Sequence, residues 1–363
     1  MDWSRRKFNR VAFAGAAWGM TGPARAQNPH TGRTLNFAIV GLGRISLDHF
    51  LPGLLQTKYC RPAALVSGHR AKAEKYAAQY GIPQTHIYNY QNFDRIATDP
   101  SIDAVYIALP NSMHAEFTIR AAKAGKHVLC EKPMATSVAD AQAMVDACAA
   151  ARRKLMIAYR CQYDPIHLRA VELIRSGKIG QVQAISSGFG FNIPAGEWRL
   201  ERALAGGGPL VDVGIYSLNA CRFLTGEEPV EVKGYSSVID QDGRFQEVEE
   251  NLTWTMRFPS GAVASCSTSY GASLTGYYRV YGSKGTIYVE PAFNYDGLRL
   301  AARLADESNV TEATQRPDPA QFPPQADHLA ECVFENKTPK TPGEEGLRDQ
   351  KLMEAIYRSC PKA

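Results

Sequence analysis

The sequence predicts an α/β protein of two domains: an N-terminal doubly wound parallel sheet, then an α+β domain with a large open, mainly antiparallel sheet. Between residues 35 and 159, short apolar runs alternate with amphipathic helical patterns, as in a parallel sheet with crossover helices. Beyond residue 160, strand-like runs follow one another closely, which indicates an antiparallel sheet. We therefore place the domains at 27–159 and 160–363.

The elements follow in order along the chain. The predicted strands of the first domain are the apolar runs at 35–40, 63–67, 104–109, 127–130 and 155–159. Helices are predicted at 69–79, 114–124 and 137–153, and Ser137 is positioned to cap the last of them. In the second domain, strands are predicted at 182–191, 230–238, 251–258, 262–270 and 285–290.

The first 26 residues have the features of an export signal. Paired arginines precede an apolar stretch at 11–20 and a small-residue cleavage site at 24–26, and residues 4–8 resemble a twin-arginine signal. Because the apolar stretch is too short to span a bilayer, we expect a cleaved peptide and a periplasmic protein, not a membrane anchor.

The composition excludes some classes of protein. The predicted signal holds five basic residues against one acidic residue, so it carries most of the formal net charge of +5, and the remaining chain offers no basic surface for nucleic acid or membranes. The eight cysteines form no C-x-x-C pair and no cluster with histidine at metal-ligand spacing, so we predict no metal site. Most of them are expected to be buried thiols, and a disulfide stays open.

A glycine-rich turn directly follows the first predicted strand. Its pattern, G-x-G-x-x-S, is the dinucleotide-binding fingerprint of the Rossmann fold with serine in place of the third glycine. Gly41 permits the tight turn, and Gly43 lets the backbone approach a pyrophosphate at a helix amino terminus. The predicted cofactor-binding residues of this turn are Gly41, Leu42, Gly43, Arg44 and Ile45.

The end of the second predicted strand indicates which dinucleotide binds. An NAD enzyme places an acidic residue there to hold the ribose 2′-hydroxyl, but this chain has Ser67, Gly68, His69, Arg70 and Lys72 in that region. A hydroxyl and several cations suit a 2′-phosphate, so the sequence predicts NADP, with Ser67, Gly68, Arg70 and Lys72 at the cofactor. The alternative is that the cations only solvate a helix face.

Two charged residues, Glu131 and Lys132, follow the predicted strand 127–130. They therefore lie at the carboxyl edge of the sheet, which is where ligands bind in open α/β folds. The alternative is a solvated loop whose charges have no role.

Four stretches and the glycine turn together resemble the glucose-fructose oxidoreductase (Gfo/Idh/MocA) family over nearly the whole mature chain: "ALPNSMHAE", "AGKHVLCEKP", "YRCQYDP" and "EWRLERALAGGGPLVDVGIY". A further stretch around Tyr295, "EPAFNYD", matches only loosely. The resemblance implies that Lys132 contacts substrate and nicotinamide, that Asp212 binds substrate and that Tyr216 transfers a proton, with Lys132 favouring its phenolate. We also expect the three glycines at 206–208 to allow close approach of the backbone to a ligand.

The resemblance also implies further cofactor contacts. Arg160 and Tyr295 are expected at the cofactor, and Trp198 and Arg199 are expected to close over it. The remaining residues that the family pattern places at the cofactor are Tyr90, Leu109, Pro110, Asn111, His114 and Glu131. Tyrosine at 216, Ser67 and Lys72 resemble the sugar-disproportionating branch of the family, which keeps NADP permanently bound.

Three functions are compatible with these residues. The first is a periplasmic enzyme that oxidises an aldose at C1 to the lactone and reduces a second sugar, an aldose or a ketose, to an alditol with the same tightly bound NADP. The second is an ordinary NADP-dependent aldose 1-dehydrogenase with exchanging cofactor. The third is a non-catalytic NADP-binding sensor, which intact Lys132, Asp212 and Tyr216 disfavour.

We expect a homodimer with sugars as its small-molecule ligands. The alternating residues Trp254, Met256 and Phe258 predict an exposed apolar sheet face, and packing that face against a second copy would bury it.

Overall fold

A computed structural model of the protein describes residues 32–314 and 321–361. The predicted export signal lies outside the described residues. In the described part of the chain, none of the helices combines the length and apolarity that a membrane crossing requires.

The first half forms a six-stranded, all-parallel sheet in the order β3-β2-β1-β4-β5-β6. Its elements are β1 (Leu35–Val40), α1 (Leu51–Leu54), β2 (Cys60–Val66), α2 (Arg70–Tyr80), β3 (Ile87–Tyr88), β4 (Ala104–Ile107), α3 (His114–Lys123), β5 (His127–Cys130), α4 (Val138–Ala150) and β6 (Leu155–Ile157). A π-helical turn over Ile45–Phe50 leads into α1. The predicted doubly wound sheet is confirmed, and its strand order reverses between β1 and β4, where such folds bind ligands.

The second half forms an eight-stranded mixed sheet in the order β14-β13-β12-β11-β7-β10-β9-β8, in which only the β7–β10 pair is parallel. Its elements are α5 (Pro165–Arg175), β7 (Val182–Gly190), α6 (Arg202–Ala205), α7 (Ile215–Thr225), β8 (Glu231–Ser237), β9 (Asn251–Arg257), β10 (Val263–Ser269), β11 (Leu274–Gly282), β12 (Thr286–Val289), β13 (Arg299–Arg303), β14 (Asn309–Ala313), α8 (Phe322–Phe334) and α9 (Gly343–Ser359).

Local capping explains where two helices begin. The Ser137 hydroxyl accepts a hydrogen bond from the backbone N–H of Asp140 at 3.0 Å, which confirms the predicted cap of α4. Asp164 caps α5 in the same way through Ile166 N–H, and Pro165 supplies the favoured first helical residue.

The residues predicted to form an exposed dimer surface are buried, so that part of the prediction was wrong. Trp254, Met256 and Phe258 are 1%, 1% and 0% exposed, because this face of β9 packs inside the protein where α7 and α9 cover the sheet. The outward face of β9 instead carries Thr253 and Thr255. Alternation along the strand identified one apolar face but not what covers it.

Most cysteines were predicted to be buried thiols, and the structure agrees. All eight are free thiols, and six of them are buried.

Candidate active site

A cleft of about 1210 Å³ runs along the carboxyl ends of β1, β2, β4 and β5. Its opposite wall comes from β7, from the segment before α7 and from the loop after β12. The cleft therefore lies at the point where the strand order of the parallel sheet reverses, and it is larger than a typical small-ligand pocket.

The glycine turn leaves bare backbone at one end of the cleft. Gly41 has φ +94°, and an added Cβ would lie 2.3 Å from the Ala108 carbonyl oxygen, so only glycine fits the turn. An added Cβ on Gly43 meets nothing within 4 Å and would extend into open space. The Ser46 hydroxyl donates to the Gly41 carbonyl at 2.7 Å and closes the turn. This geometry fits the pyrophosphate of a dinucleotide.

The end of β2 supplies a second polar patch in the cleft. The Ser67 hydroxyl accepts a hydrogen bond from the His69 backbone N–H at 3.1 Å, and both residues line the cleft beside Lys72 and Tyr90. Within the described residues Lys72 has no hydrogen-bond or ion-pair partner, so its ammonium is available to an anion. Gly68 packs under the Tyr90 ring, which an added Cβ would approach to 3.2 Å.

Arg70 is not among the residues that line the cleft. Its guanidinium pairs with Glu74 at 2.7 Å on α2 and donates to the Ile87 carbonyl at 3.4 Å. Lys72 is therefore the cation beside Ser67 in the cleft, and the His69 side chain lines the cleft next to them.

The loop after β4 is held from two sides. Asn111 donates to the Ala205 carbonyl at 2.8 Å, and the buried His114 ring places its nitrogens 2.8 Å from the Pro133 carbonyl and 2.9 Å from the Leu109 carbonyl. Leu109 and Pro110 line the cleft between these anchors. Asn111 and His114 thus fix the loop, which positions its backbone for a ligand.

Glu131 and Lys132 both line the cleft at the end of β5. Glu131 accepts a hydrogen bond from the Tyr106 hydroxyl at 2.7 Å, and burial raises the pKa of its carboxyl. The Lys132 ammonium donates to the Asp212 backbone carbonyl at 2.6 Å and lies 3.4 Å from the Asp212 carboxylate. The pair is therefore part of the cleft and not a solvated loop.

Asp212 lies at the centre of a charged cluster. Its second carboxylate oxygen accepts from the Tyr270 hydroxyl at 2.8 Å and lies 3.1 Å from Arg199 Nε. Burial opposes its ionisation, but Lys132, Arg199 and Tyr270 outweigh burial and hold the pKa of Asp212 below its usual value. Asp212 stays ionised and links the two walls of the cleft.

Tyr216, on the first turn of α7, lies beside this cluster. Its hydroxyl accepts a hydrogen bond from Arg160 Nε at 3.2 Å, whereas the Lys132 ammonium lies 4.7 Å from the centre of its ring. Burial raises the pKa of Tyr216, and the Arg160 charge acts in the opposite direction. In this structure Arg160 is therefore the cation that hydrogen-bonds the Tyr216 hydroxyl, while Lys132 lies beside the ring.

The glycines at 206–208 are not among the residues that line the cleft. An added Cβ on Gly206, Gly207 or Gly208 would lie 2.9 Å from Thr136, 2.4 Å from the Tyr357 hydroxyl or 2.6 Å from the Glu249 carbonyl. Close approach between parts of the protein explains these three glycines without a ligand.

The mouth of the cleft carries aromatic and charged side chains. Arg199 lies over the Trp198 ring at 4.6 Å, and Glu197 lies 3.6 Å from Arg199 and 3.8 Å from Arg44 of the glycine turn. These contacts bridge the two walls. Leu42 and Ile45 also line the cleft, as does Tyr295.

Sequence reasoning missed several residues of the cleft. Tyr270 is the last residue of a predicted strand, but its contact with Asp212 depends on the fold. His49 stacks on Tyr295 with ring centres 3.8 Å apart, and its position one turn after the glycine motif was the only signal for it. An aromatic wall of Phe189, Phe191 and Phe293 was also missed.

Comparisons with known proteins agree with this geometry. Residues 35–159 match the family model GFO/IDH/MocA, described as an oxidoreductase family with an NAD-binding Rossmann fold, and residues 167–288 match the GFO/IDH/MocA C-terminal domain.

Individual relatives cover most of the chain. The crystal structure of aldose-aldose oxidoreductase from Caulobacter crescentus, complexed with glycerol, is similar with 46% identity and a TM-score of 0.87, covering 90% of this chain and 97% of that one. D-xylose 1-dehydrogenase [NADP(+)] of Haloarcula marismortui is 32% identical over 336 residues, or 91% of this chain and 92% of the relative. D-xylose 1-dehydrogenase (NADP(+)) 2 of Haloferax volcanii is 33% identical, over 89% and 97% of the two chains.

Proposed function

Because the chain belongs to the GFO/IDH/MocA family of oxidoreductases, we propose that it is an NADP-dependent sugar oxidoreductase that retains its cofactor. In this proposal it oxidises one aldose at C1 to the lactone and reduces a second sugar to an alditol. The observation that carries the proposal is the cluster of Lys132, Asp212 and Tyr216 in a cleft whose far end is a dinucleotide turn.

The choice of NADP is supported by the end of β2. The Ser67 hydroxyl and the unpaired Lys72 ammonium face the cleft, and no carboxylate occupies the segment 67–72 where an NAD enzyme would hold the ribose. A 2′-phosphate is a dianion that such a patch would hold with charge-assisted hydrogen bonds. Two relatives at 32% and 33% identity carry NADP(+) in their names.

The side chains of this protein would manage the proton of the reaction. The nicotinamide, when bound, supplies the chemistry of accepting and returning a hydride. Tyr216 is positioned to exchange a proton with a sugar hydroxyl or carbonyl oxygen, and Lys132 offers a hydrogen-bond donor beside it. Asp212 orients Lys132, and the aromatic side chains at 189, 191 and 293, which line the cleft, would keep water from the reacting carbon of a bound sugar.

Cofactor retention is supported by two observations. Residues 4–8 resemble a twin-arginine signal, and an enzyme exported to the periplasm would have no pool of free nicotinamide nucleotide, so only a retained and internally regenerated cofactor would turn over there. The aldose-aldose oxidoreductase that this chain resembles at 46% identity is also named for a reaction between two sugars.

An ordinary NADP-dependent aldose 1-dehydrogenase is the second candidate. It is favoured by the similarity to the two D-xylose 1-dehydrogenases, which extends over about nine tenths of each chain. The cleft serves both reactions, because both begin with oxidation of an aldose at C1. They differ in whether the cofactor leaves between turnovers.

One incubation separates these candidates. Purified protein is given a single aldose with no added cofactor, and aldonic acid and alditol are measured by chromatography. Self-recycling predicts equal molar amounts of both, in many turnovers per protein. Production of acid only when NADP is added would support the exchanging dehydrogenase, and no product in either case would refute both.

A further inference from the structure

Arg160 is buried in a cage of uncharged acceptors. Its guanidinium donates to the Phe293 carbonyl at 2.6 Å, to the Asn294 carbonyl at 3.0 Å and to the Gln321 side-chain oxygen. Gln321 is in turn held by Asp164, to which it donates at 3.0 Å. These contacts fix the plane of the guanidinium, because its N–H groups form a rigid fork.

The remaining contacts of Arg160 are with two tyrosines. Its carbon centre lies 4.9 Å from the Tyr216 ring and 4.3 Å from the Tyr295 ring, and its Nε donates to the Tyr216 hydroxyl at 3.2 Å. The residue is only 4% exposed. Within the described residues no carboxylate forms an ion pair with it, although a buried cation usually has one.

A buried cation without a carboxylate partner stabilises any group beside it that can become an anion. The phenol that Arg160 contacts directly is such a group. Glu131 also lies near, but burial favours its neutral form and weakens it as a counter-ion. The structure thus leaves the Tyr216 phenolate as the natural counter-ion of Arg160.

We infer that Arg160 is a positioning residue for Tyr216, stabilising its phenolate and directing its hydroxyl hydrogen into the cleft; this rests on the proposed function. Because Arg160 can only donate, the phenol oxygen accepts from it and must direct its own hydrogen elsewhere. The open side of Tyr216 is the cleft, where a sugar oxygen would lie.

The proton balance of the two half-reactions follows from this assignment. In oxidation, the Tyr216 phenolate would take the proton of the sugar C1 hydroxyl, and the hydride that C1 loses would go to a bound nicotinamide, which leaves a lactone and a neutral phenol. In reduction, the phenol would give that proton to the carbonyl oxygen of the second sugar, whose carbon would receive the hydride. Tyr216 then stores the proton between half-reactions, and Arg160 stabilises the state in which the proton is absent.

Other charged groups also surround Tyr216. Lys132 lies over its ring at 4.7 Å and favours the phenolate, whereas Glu131 from the end of β5 opposes it. The thiol of Cys161 and the phenol of Tyr295 face the same space and also titrate at high pH, since burial raises the pKa of each of them. An assignment to Arg160 therefore needs a test that isolates its effect on Tyr216.

A double-mutant cycle of Arg160→Met and Tyr216→Phe provides that isolation. Bound nicotinamide in each purified variant is first reduced by adding an aldose, and its absorbance gives the single-turnover rate over a range of pH. Arg160→Met should slow this step about 10-fold to 100-fold near neutral pH. The pH at which the rate rises as Tyr216 loses its proton should also increase by about one to two pH units. Arg160→Lys keeps the charge but not the planar fork of donors, so its rate should lie between those of the wild type and Arg160→Met.

The expected result in the Tyr216→Phe background is that Arg160→Met causes no further loss. Tyr278→Phe is the control, because it also removes a buried hydroxyl that has no partner within the described residues, but outside the cleft; it should react like the wild type. Additive losses in the cycle, or an unshifted pH profile in Arg160→Met, would overturn the role given to Arg160. A wild-type protein that oxidises no aldose would overturn the proposed function and this inference together, whereas an active wild type with an additive cycle would overturn only the inference.

Discussion

The Lys132 ammonium donates a hydrogen bond to the Asp212 backbone carbonyl at 2.6 Å and lies 3.4 Å from the carboxylate of the same residue. Lys132 follows β5 of the parallel sheet, and Asp212 precedes α7 in the second half of the chain. One contact therefore joins the dinucleotide-binding side of the cleft to the side that would bind the sugar.

Tyr270→Phe tests how Asp212 is kept ionised. The change removes the 2.8 Å hydrogen bond to the carboxylate and should cost about 1 to 2 kcal/mol of folding stability at neutral pH. The pKa of Asp212 is lowered in the folded protein, so its stabilisation is present above its unfolded value of about 4 and is lost as the pH falls through the folded value. The loss of Tm in the variant should therefore shrink between about pH 7 and about pH 3, and an equal loss at both would contradict the assignment.

The double variant Ser67→Asp with Lys72→Ala tests the phosphate site. The new carboxylate would repel a 2′-phosphate and the lost ammonium would remove a charge-assisted hydrogen bond, so NADP affinity should fall about 100-fold to 10,000-fold. The variant should purify without nicotinamide absorbance. Arg70→Ala is the matched control, because Arg70 pairs with Glu74 outside the cleft, and it should keep the cofactor. Full cofactor in the double variant would place the phosphate elsewhere.

Two glycine substitutions should separate folding from cofactor binding. In Gly41→Ala the new methyl group would meet the Ala108 carbonyl at 2.3 Å in a backbone with φ +94°, so stability should fall by about 1 to 3 kcal/mol or more. Gly43→Ala has open space at its Cβ, so its Tm without cofactor should be unchanged while nicotinamide binding weakens. Calorimetry of the cofactor-free proteins and a nucleotide titration measure the two effects. A Gly43→Ala protein that binds nucleotide normally would remove the turn from the binding site.

The comparison of predicted with observed elements shows which parts of the fold are determined by local sequence. The glycine turn and five of the six strands of the parallel sheet were predictable because each depends on a short continuous pattern, whereas β3, with only two residues, was missed. β11 was missed because Gly276 interrupts its pattern, and β13 and β14 were missed because they are short and rich in alanine and polar residues.

The site divides in the same way. Lys132, Asp212 and Tyr216 lie in recognisable motifs, and the structure brings them together. The contacts of Tyr270 with Asp212 and of Arg160 with Tyr216 join residues 58 and 56 positions apart, so only the fold reveals them. The same reason explains why the burial of Trp254 could not be read from β9 alone: the helices that cover it come from other parts of the chain.

Because Trp254, Met256 and Phe258 are buried, a homodimer formed through the eight-stranded sheet would have to use the outward face of that sheet. We propose that a second copy covers the strip around Thr253 and Thr255, whose small side chains are exposed, with Val263 48% exposed on the neighbouring strand. Thr255→Arg should convert the dimer into a monomer in light scattering at micromolar concentration. Thr98→Arg, on the surface of the first half, is the control and should stay dimeric. A wild-type monomer would contradict the proposal.

The transfer of deuterium between two sugars tests the central claim most directly. The protein is incubated with an aldose deuterated at C1, an unlabelled acceptor sugar and an excess of unlabelled free NADPH, and the products are analysed by mass spectrometry. A retained cofactor predicts that the deuterium appears at the reduced carbon of the alditol, undiluted by the free NADPH. Deuterium in the free nucleotide pool, with unlabelled alditol, would show that the cofactor exchanges and would contradict the account.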